Sequence, residues 1–408
     1  MLLVGIDWAE AEHAACLLAP SGSVLRRLKV AHSPAGVRVL QAAVAAHEAE
    51  PAQVLVAIER PDGLLVEALL AAGYTVYALN PKAVERYRGR TRTSGAKSDP
   101  ADAELLARVL LTDRERHAPL LPSSPQAEEV RWLARQDERA SRDQRRLLNR
   151  LRQDLLESFP QAVSAFEDLG GVCALEFLAR WPSLAAARRL RLGQLTSFLR
   201  QHCHSRPDAA AARIHAALHA EALPVPSSRA RAASGAIGLA VQQLLLLHRQ
   251  RRAWATRLSE LLEGPTAHPD GEVLLSLPGL AVVLAARVLG EMGDRHERFP
   301  TPAALQCYAG TAPVTRASGR LRVVTLRRSC NRALQQAVLG WAYCSIPRSA
   351  WAKSGYEQQR ARGNSHAAAL RVVGNRWLEV LHHLLSTHQR YDVAVHEHHR
   401  QPRLPRAA

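Results

Sequence analysis

Four acidic residues in the first quarter of the chain stand where carboxylates can do chemistry. Asp7 and Glu59 each follow a short apolar run, so each lies at the exit of a predicted buried strand. Asp99 and Asp102 are three residues apart, which puts both on one face of the first turn of a predicted helix. If the two strands are neighbours, their carboxylates converge at one edge of a sheet. We refer to these four residues as the acidic cluster.

Four carboxylates in one place repel one another unless a cation neutralises them. Mg²⁺ or Mn²⁺ is the fitting kind of ion, because such ions prefer oxygen ligands and Mg²⁺ bridges readily to phosphate. Two such ions roughly 3.5–4 Å apart clamp the attacking and leaving oxygens of a phosphodiester. The acidic cluster, Asp7, Glu59, Asp99 and Asp102, is therefore predicted to bind metal and to catalyse phosphoryl transfer.

Each acid also has a purely structural interpretation. The segment 99–102, with the sequence DPAD, is a regular helix start, because an Asp at the N-cap and a Pro at the first helical position are both favoured there. Asp7 fits a turn at a strand end, and Glu59 could simply pair with Arg60. The order strand-Asp, strand-Glu, helix-Asp-x-x-Asp favours the catalytic interpretation.

The net charge predicts a polyanionic partner. Fifty-four Lys and Arg against 37 Asp and Glu give a net charge of +17, and the isoelectric point is about 10.5. Only four of the cations are lysines, and the other 50 are arginines. A GC-rich genome explains the choice of arginine but not the net charge. We therefore expect a nucleic acid, whose phosphates and guanine edges suit the planar guanidinium.

Composition narrows the class of protein. With 47% hydrophobic and 22% charged residues over 408 positions, two or three folded domains are expected. No run of about 18 apolar residues predicts a membrane span, and the first residues lack the pattern of a secretory signal. The six cysteines are scattered without a C-x-x-C pair, which is typical of reduced thiols in a cytoplasmic protein.

The predicted elements divide the chain into four parts. In residues 1–125, a meander of three strands followed by β-α-β-α units implies a mixed α/β sheet with helices on both faces. Residues 126–265 hold two long amphipathic helices that predict an antiparallel arm or a dimer seam. Residues 266–350 predict a mainly α-helical unit with a helix–Pro-Gly–helix motif, which is either a phosphate grip or a plain helical turn. Residues 351–408 predict a helical, basic, His-rich tail.

A second reactive group is predicted in a basic loop. Six arginines and no acid occur between residues 316 and 332, and Ser318 lies between Arg316 and Arg320. A serine that attacks a phosphodiester needs positive charge around the phosphate, which arginines would supply in the transition state. A Ser-Gly pair in a basic segment is more often only a loop. The rival hydroxyl groups are those of Tyr308, Thr315, Ser329 and Tyr343.

Several segments resemble the DEDD-type insertion-sequence transposases of the one-ten family. In the first 160 residues these are VGIDWAE, AIERPDG and ALNPKAVERYRGRTRTSGAKSDPADAELLA, of which KSDPADA is the most specific. In about 270–350, the segments LPGLAVVLAARVLGEMGD, YAGTAPVTRASG and NRALQQAVLGWA look like the second conserved domain of the same transposases. The middle helices match only in character. After Ser-Gly, where the family often has a Gly/Lys-rich segment, this chain has GRLR.

The resemblance implies an RNase H-like (RuvC-like) N-terminal domain, with the acidic cluster as the four family acids and Ser318 as the family serine. It implies Mg²⁺-dependent DNA cleavage and exchange through a phosphoserine link, in the nucleoid of a prokaryotic cell. It also implies a homodimer or homotetramer and a structured non-coding RNA that pairs with donor and target DNA. The predicted nucleic-acid-binding residues are Arg88, Lys97, Arg316, Arg320, Arg322, Arg327 and Arg328.

Two other functions stay open on the sequence. One is a structure-selective, Mg²⁺-dependent DNA nuclease that uses water, in which Ser318 is incidental. The other is a non-catalytic nucleic-acid-binding scaffold, in which the acidic cluster has no chemical role. A tyrosine recombinase fits less well, because it needs no acidic tetrad.

Overall fold

A computed structural model describes residues 1–91, 98–202, 205–221, 223–319 and 321–398. The chain divides into two compact units, Met1–Ser123 and Ser124–Ala408. The further subdivision at residues 265 and 350 stays a prediction. Lys97 and Arg320, two of the predicted nucleic-acid-binding residues, lie outside the described residues.

The first unit is a mixed sheet with helices on both faces, which confirms the predicted α/β class. Among its described residues, the strands are β1 (Leu2–Asp7), β2 (Glu12–Leu18), β3 (Val24–Ala31), β4 (Val54–Ile58) and β5 (Thr75–Ala78). The helices are α1 (Pro34–Ala45), α2 (Leu64–Ala71), α3 (Pro81–Thr91) and α4 (Asp99–Asp113). The strand order is β3-β2-β1-β4-β5; β1, β2 and β3 are antiparallel neighbours, and β1, β4 and β5 run parallel.

The central strands are buried on both faces, as their continuous apolar runs predict. Ile6 and Ile58 pack in the core that α1 and α2 cover. Leu3 and Ala57 pack in the core on the other face, which α3 and α4 cover. The alternation of side chains along β1 and β4 thus fixes which face each following residue occupies.

Gly5 allows α4 to lie directly on β1. A Cβ atom at Gly5 would be 1.9 Å from the carbonyl oxygen of Ala103 and 2.6 Å from the amide nitrogen of Ala107. At its other end, α4 is followed by Arg114, which donates to the sulfur of Met1 at 3.6 Å. The helix therefore runs antiparallel to β1, and its N-terminus lies at the carboxyl end of β1.

The second unit is mostly helical. Its described helices are α5 (Pro125–Ser158), α6 (Pro160–Ala165), α7 (Val172–Arg180), α8 (Leu184–Ala187), α9 (Leu192–Gln201), α10 (Pro207–His219), α11 (Ser227–Glu263), α12 (Pro269–Ser276), α13 (Val282–Met292), α14 (Pro302–Tyr308), α15 (Arg332–Ser345), α16 (Ala350–Ala361), α17 (His366–Thr387) and α18 (Val393–His398). An antiparallel hairpin of β6 (Val314–Ser318) and β7 (Leu321–Thr325) interrupts them. Two hydrophobic cores fill the unit, one around Phe159 and Phe177 and one around Trp341 and Trp377.

The two long helices α5 and α11 pack as the antiparallel pair that the sequence predicts. Arg251 donates to Asp137 at 2.8 Å, and Arg257 donates to Glu129 at 2.8 Å. A later residue of α11 thus pairs with an earlier residue of α5, so the two helices run in opposite directions. Among the described residues, α11 alone is long and apolar enough to cross a membrane, by length and composition only. Residues such as Val241 and Leu244 pack in the core of the unit, and 22% of the apolar window of α11 is buried.

The predicted helix–Pro-Gly–helix motif is formed by α12 and α13. Its Gly279 has a φ of +81°, and a Cβ there would be 2.6 Å from the backbone of Cys344 and Ser345. The indole nitrogen of Trp341 donates to the carbonyl of Pro278 at 3.1 Å. The turn is thus packed against the end of α15, which favours the structural interpretation of this motif.

Candidate active site

The first two acids of the cluster stand at the same edge of the sheet. Ile6 of β1 pairs with Ile58 of the parallel neighbour β4, and Asp7 and Glu59 are the residues that follow this last pair. Because side chains alternate along a strand, Asp7 lies on the face of Gly5, which α4 covers. The prediction that these strands are neighbours is confirmed.

The residues that follow the two acids also contact each other. The guanidinium carbon of Arg60 is 4.2 Å from the ring centroid of Trp8. Arg60 also lies 3.8 Å from Asp62. Arg60, which the sequence suggests as a structural partner for Glu59, thus contacts Trp8 and Asp62. Its contact with Trp8 links the residues that follow β1 and β4.

Asp102 is buried in the first turn of α4, with 5% of its surface exposed. Its Oδ1 accepts from two nitrogens of Arg88 on α3, from Nε at 3.1 Å and from Nη2 at 3.0 Å. A buried carboxylate requires such a partner, because an unpaired charge is costly in a weakly polar environment. The sequence predicts that Arg88 binds nucleic acid, and the structure shows it bound to a member of the acidic cluster.

Asp99 is exposed at the beginning of α4. Its charge acts on Lys29 of β3, whose pKa is raised first by the hydrogen bond to Glu12 and to a smaller extent by Asp99. Lys29 pairs with Ala14, and Ala14 pairs with Asp7, so all three lie on one rung of the sheet. Gly5, two residues before Asp7, contacts Ala103, one residue after Asp102, so the first turn of α4 lies near the Asp7 end of β1.

The donor chemistry of this edge suits a hard divalent cation. The cluster offers only carboxylate oxygens, and Asp102 already binds a cation, the guanidinium of Arg88. In the described part of the chain, no three His, Cys, Asp or Glu side chains lie close enough to hold a metal ion. The cluster therefore fits such an ion by the chemistry of its donor groups, and Asp102 is occupied by the guanidinium of Arg88.

Ser318 ends β6 in the second unit. The sequence predicts a basic loop here, whereas the structure has an antiparallel hairpin in which Ser318 pairs with Leu321. Gly319 has a φ of +55°, which is the conformation a hairpin turn favours. Residues 315–319 and 322–326 are exposed, so both faces of the hairpin are open to solvent.

The hairpin sorts the predicted basic residues by face. Arg316 is two residues before Ser318 and lies on the same face. Arg322 pairs with Ala317 and therefore lies on the opposite face. Arg327 and Arg328 follow β7, beyond the paired region. The structure thus brings Arg316, but not Arg322, to the side of Ser318.

The rival hydroxyl groups differ in their surroundings. The Tyr308 hydroxyl accepts from Asn331 Nδ2 at 3.0 Å, and the Arg298 guanidinium carbon lies 4.5 Å from the Tyr308 ring centroid. Thr315 is exposed on the hairpin face opposite to Ser318. Tyr308 thus has a structural role at the base of the hairpin.

Sequence reasoning missed two features that position these groups. Gly5 interrupts the apolar run of β1, and an isolated glycine in a strand is a signal of close backbone approach. Asn331 precedes an apolar helix and is a recognisable N-cap, but its link to Glu291 joins distant segments that no local pattern connects.

Comparisons with known proteins agree with this arrangement. The DEDD transposase model of the IS110 type matches residues 4–160, and the model described as transposase IS116/IS110/IS902 family matches residues 271–357. The chain is 37% identical to the mini-circle putative transposase for IS117 of Streptomyces coelicolor, over 95% of this chain and 94% of that protein. It is 28% identical to the IS110 43.6 kDa protein of the same organism, over 94% of each chain.

These matches cover both units. A transposase acts on DNA, and the DEDD class implies a divalent metal ion. The matched segments include all four acids of the cluster in the first model and Ser318 in the second. The chain belongs to the IS110 family of DEDD transposases.

Proposed function

We propose that this transposase cuts and rejoins DNA at the ends of its own insertion sequence through a covalent phosphoserine at Ser318. The acidic cluster assists on the same phosphodiester. The observation that supports the proposal is the pairing of β1 with β4, whose carboxyl ends lead into Asp7 and Glu59 at one edge of the sheet, on which α4 packs.

The N-terminal unit is proposed to be RuvC-like, that is, of the RNase H type. The support is its topology, a three-stranded antiparallel meander continued by two parallel strands in the order β3-β2-β1-β4-β5. In this topology the carboxyl ends of β1 and β4 share one edge, as a site built on Asp7 and Glu59 requires.

The proposed metal ligands are the four acids of the cluster. When bound, Mg²⁺ or Mn²⁺ supplies Lewis-acid polarisation of the scissile phosphate. Asp7 and Glu59 would hold the ion from the edge of the sheet, and Asp99 and Asp102 would hold it from α4. An ion that binds Asp102 Oδ1 would displace Arg88 from that oxygen, and its guanidinium would then be available for a DNA phosphate at the same edge.

Ser318 is proposed to attack the phosphorus through Oγ. The Oγ–P bond forms as the bond to the 3′ oxygen breaks, and the leaving strand takes up a proton as a free 3′-hydroxyl. Arg316, on the same face, stabilises the charge on the phosphate oxygens. The 3′-hydroxyl of the exchanged strand then attacks the phosphoserine, which restores the serine hydroxyl. One phosphoester replaces another at each step, so no nucleoside triphosphate is needed.

Oligomerisation and RNA guidance complete the proposal. The acids and Ser318 belong to different units, so the proposed catalysis requires both units to act on one bond. The protein is proposed to act as a homodimer or a homotetramer. A guide RNA would leave the protein to bind backbone and shape. Abundant arginine and only 5% aromatic residues favour that mode of binding. The proposed location is the nucleoid of a bacterial cytoplasm.

Replacement of the nucleophile tests this function. The substrate is a plasmid that carries the DNA flanking the gene, incubated with Mg²⁺ and RNA transcribed from those flanks. We expect Ser318→Ala to abolish both the denaturant-resistant protein–DNA adduct and strand exchange, whereas Ser329→Ala, in the same basic segment, retains both. Mass spectrometry of the adduct should identify Ser318 as the linked residue.

The same assay separates the alternatives. Cleavage that survives Ser318→Ala without an adduct would indicate a nuclease that uses water. A protein that only binds DNA, with the same affinity after Asp7→Asn and Glu59→Gln, would be a non-catalytic scaffold. Either result contradicts the proposed function.

A further inference from the structure

The hairpin that carries Ser318 makes few contacts along its length. Residues 315–319 and 322–326 are exposed on both faces. Ser318 lies four residues beyond Val314, where the ladder begins, which corresponds to about 13 Å along an extended strand. The direction of the hairpin is therefore set where it joins the helices.

Asn331 fixes the exit of the hairpin. Its backbone N–H donates to the carbonyl of Tyr308 at 2.8 Å. Its side-chain Nδ2 donates to Glu291 Oε2 at 2.9 Å and to the Tyr308 hydroxyl at 3.0 Å. Its Oδ1 accepts from the N–H groups of Ala333 and Leu334, both at 3.0 Å, and so caps α15. One amide thus has two separate tasks, a cap through its oxygen and a tether through its nitrogen.

Glu291 provides the charged end of the tether. It is 7% exposed, and Arg135 of α5 donates to both of its carboxylate oxygens, at 2.6 and 3.1 Å. Burial acts to raise the pKa of Glu291, but the hydrogen bonds from Arg135 and Asn331 outweigh it and lower the pKa. An ionised acceptor makes the bond from Asn331 stronger than a neutral amide pair would be.

The entry of the hairpin is fixed to the same helices. Gln335 of α15 donates to the carbonyl of Gly310 at 3.0 Å, and Thr311 donates to Asn375 Oδ1 at 2.8 Å. Gly310 has a φ of +69°, and a Cβ there would be 2.5 Å from the sulfur of Cys330. Entry and exit therefore contact each other, and glycine is required at the point of contact.

We propose that Asn331, tethered to Glu291, is a positioning residue for Ser318. The inference rests on the proposed function of Ser318 as the nucleophile. A tilt of about 5° at the base would move a group ~13 Å away by about 1 Å, and a misplacement of ~1 Å can cost about 100-fold in rate. The tether thus controls the rate of attack without touching DNA.

Substitutions can separate the tether from the cap. Asn331→Asp keeps a capping oxygen but replaces the donor with a carboxylate that faces Glu291. Combining it with Glu291→Gln exchanges donor and acceptor across the same contact. Ser365→Ala is the matched control, because Ser365 caps α17 in the same unit and its capping bond goes to Ala368, away from the hairpin.

The experiment measures the rate of serine–DNA adduct formation at saturating plasmid substrate, well below the Tm of each variant, together with DNA affinity. We expect Asn331→Asp to slow adduct formation about 10- to 100-fold with DNA affinity within about twofold of the wild type. The double variant should regain most of the lost rate. Ser365→Ala should lower Tm and leave the rate unchanged.

Two results would overturn the positioning role. One is adduct formation by Asn331→Asp at the wild-type rate. The other is a double variant that recovers in Tm but stays as slow as Asn331→Asp. If the wild-type protein cuts DNA but forms no serine adduct, the proposed chemistry of Ser318 is wrong, and so is the positioning role that rests on it. This outcome differs from an Asn331→Asp variant that forms the adduct at the wild-type rate, which contradicts the positioning role alone.

Discussion

Asp102, a proposed metal ligand, forms a largely buried ion pair with Arg88. The side chain of Asp102 is 8% exposed and that of Arg88 is 24% exposed, so the pair is largely shielded from solvent. In such surroundings the carboxylate cannot stay charged without a cation. A metal ion at the proposed site would compete with this guanidinium for Asp102 Oδ1.

We predict that Arg88→Ala destabilises the protein by about 2 kcal/mol, because it leaves the Asp102 charge buried without its partner. Millimolar Mg²⁺ should raise the Tm of this variant more than that of the wild type, since the ion no longer has to displace the guanidinium. Thermal unfolding with and without Mg²⁺ measures both effects. Arg86→Ala, exposed on the same helix, is the control and should show neither. Equal Mg²⁺ shifts in wild type and variant would contradict competition at Asp102.

The acids themselves could be found from the sequence, but their partners could not. Asp7 and Glu59 stand directly after apolar runs, and that position alone predicts a carboxylate at a strand end. The contact of Arg88 with Asp102 depends on how α3 packs against α4, which no local pattern encodes. The same holds for Asn331 and Glu291, which are 40 residues apart.

Among the elements, α4 has the most direct effect on the site. It crosses β1 at Gly5 with backbone against backbone, and this contact sets its first turn near the Asp7 end of β1. The geometry depends on the absence of a single methyl group. A helix displaced by the width of a Cβ would carry Asp99 and Asp102 away from Asp7 and Glu59.

We predict that Gly5→Ala lowers the free energy of unfolding by about 3 kcal/mol, because the added Cβ overlaps the backbone of Ala103, which cannot rotate away. DNA cleavage should fall further than stability explains, since the acids are separated. Gly89→Ala, in open space on α3, should be neutral or stabilise by up to about 1 kcal/mol. Urea unfolding and cleavage assays check both, and a Gly5→Ala protein as stable as the wild type would contradict this account.

The hairpin shows why an exposed element is harder to predict than a buried one. In residues 314–325 the arginines and apolar residues occur on both faces, because neither face packs against a core. The period of two that identifies a half-buried strand is therefore missing. The strands β1, β2 and β4 of the first unit, by contrast, are buried, and their continuous apolar runs indicate strands.

A buried His–Asp contact joins α12 to the turn after α13. His296 Nε2 lies 3.1 Å from Asp270 Oδ2, and the Asp270 side chain is 3% exposed. The hydrogen bond to Asp270 raises the pKa of His296, against the opposing effect of burial. The protonated form thus belongs to the folded state, and its contribution is complete below the unfolded pKa of about 6.5 and is lost as pH rises through the folded value.

We predict that the free energy of unfolding lost in His296→Gln is larger at pH 5.5 than at pH 8.5, by about 1 kcal/mol. Urea unfolding of wild type and variant at the two pH values measures this difference. The exposed His383, also in the second unit, supplies the control substitution His383→Gln, which should cost the same at both pH values. A pH-independent cost for His296→Gln would show that the pair is not ionic.

At the scale of the whole molecule, the cations behind the net charge of +17 differ in whether an acid neutralises them. Many arginines are already paired with acids, as Arg257 is with Glu129 and Glu260. The stretch from 316 to 332 contains arginines and no acid. Long-range attraction to DNA should therefore come mainly from such unneutralised segments, and the number of their cations sets the salt dependence of binding.

Salt dependence can assign those cations one by one. Each phosphate that an arginine neutralises releases a counterion, so the logarithm of the affinity falls with the logarithm of salt by about 0.9 per contact. We predict that Arg316→Ala and Arg322→Ala each reduce this slope by about 1, when a DNA duplex is titrated between roughly 50 and 200 mM salt. Arg257→Ala should leave the slope unchanged, because its guanidinium already serves two carboxylates. Equal reductions of the slope in all three variants would mean that DNA affinity depends on total charge alone. That result would contradict the prediction that the hairpin binds DNA.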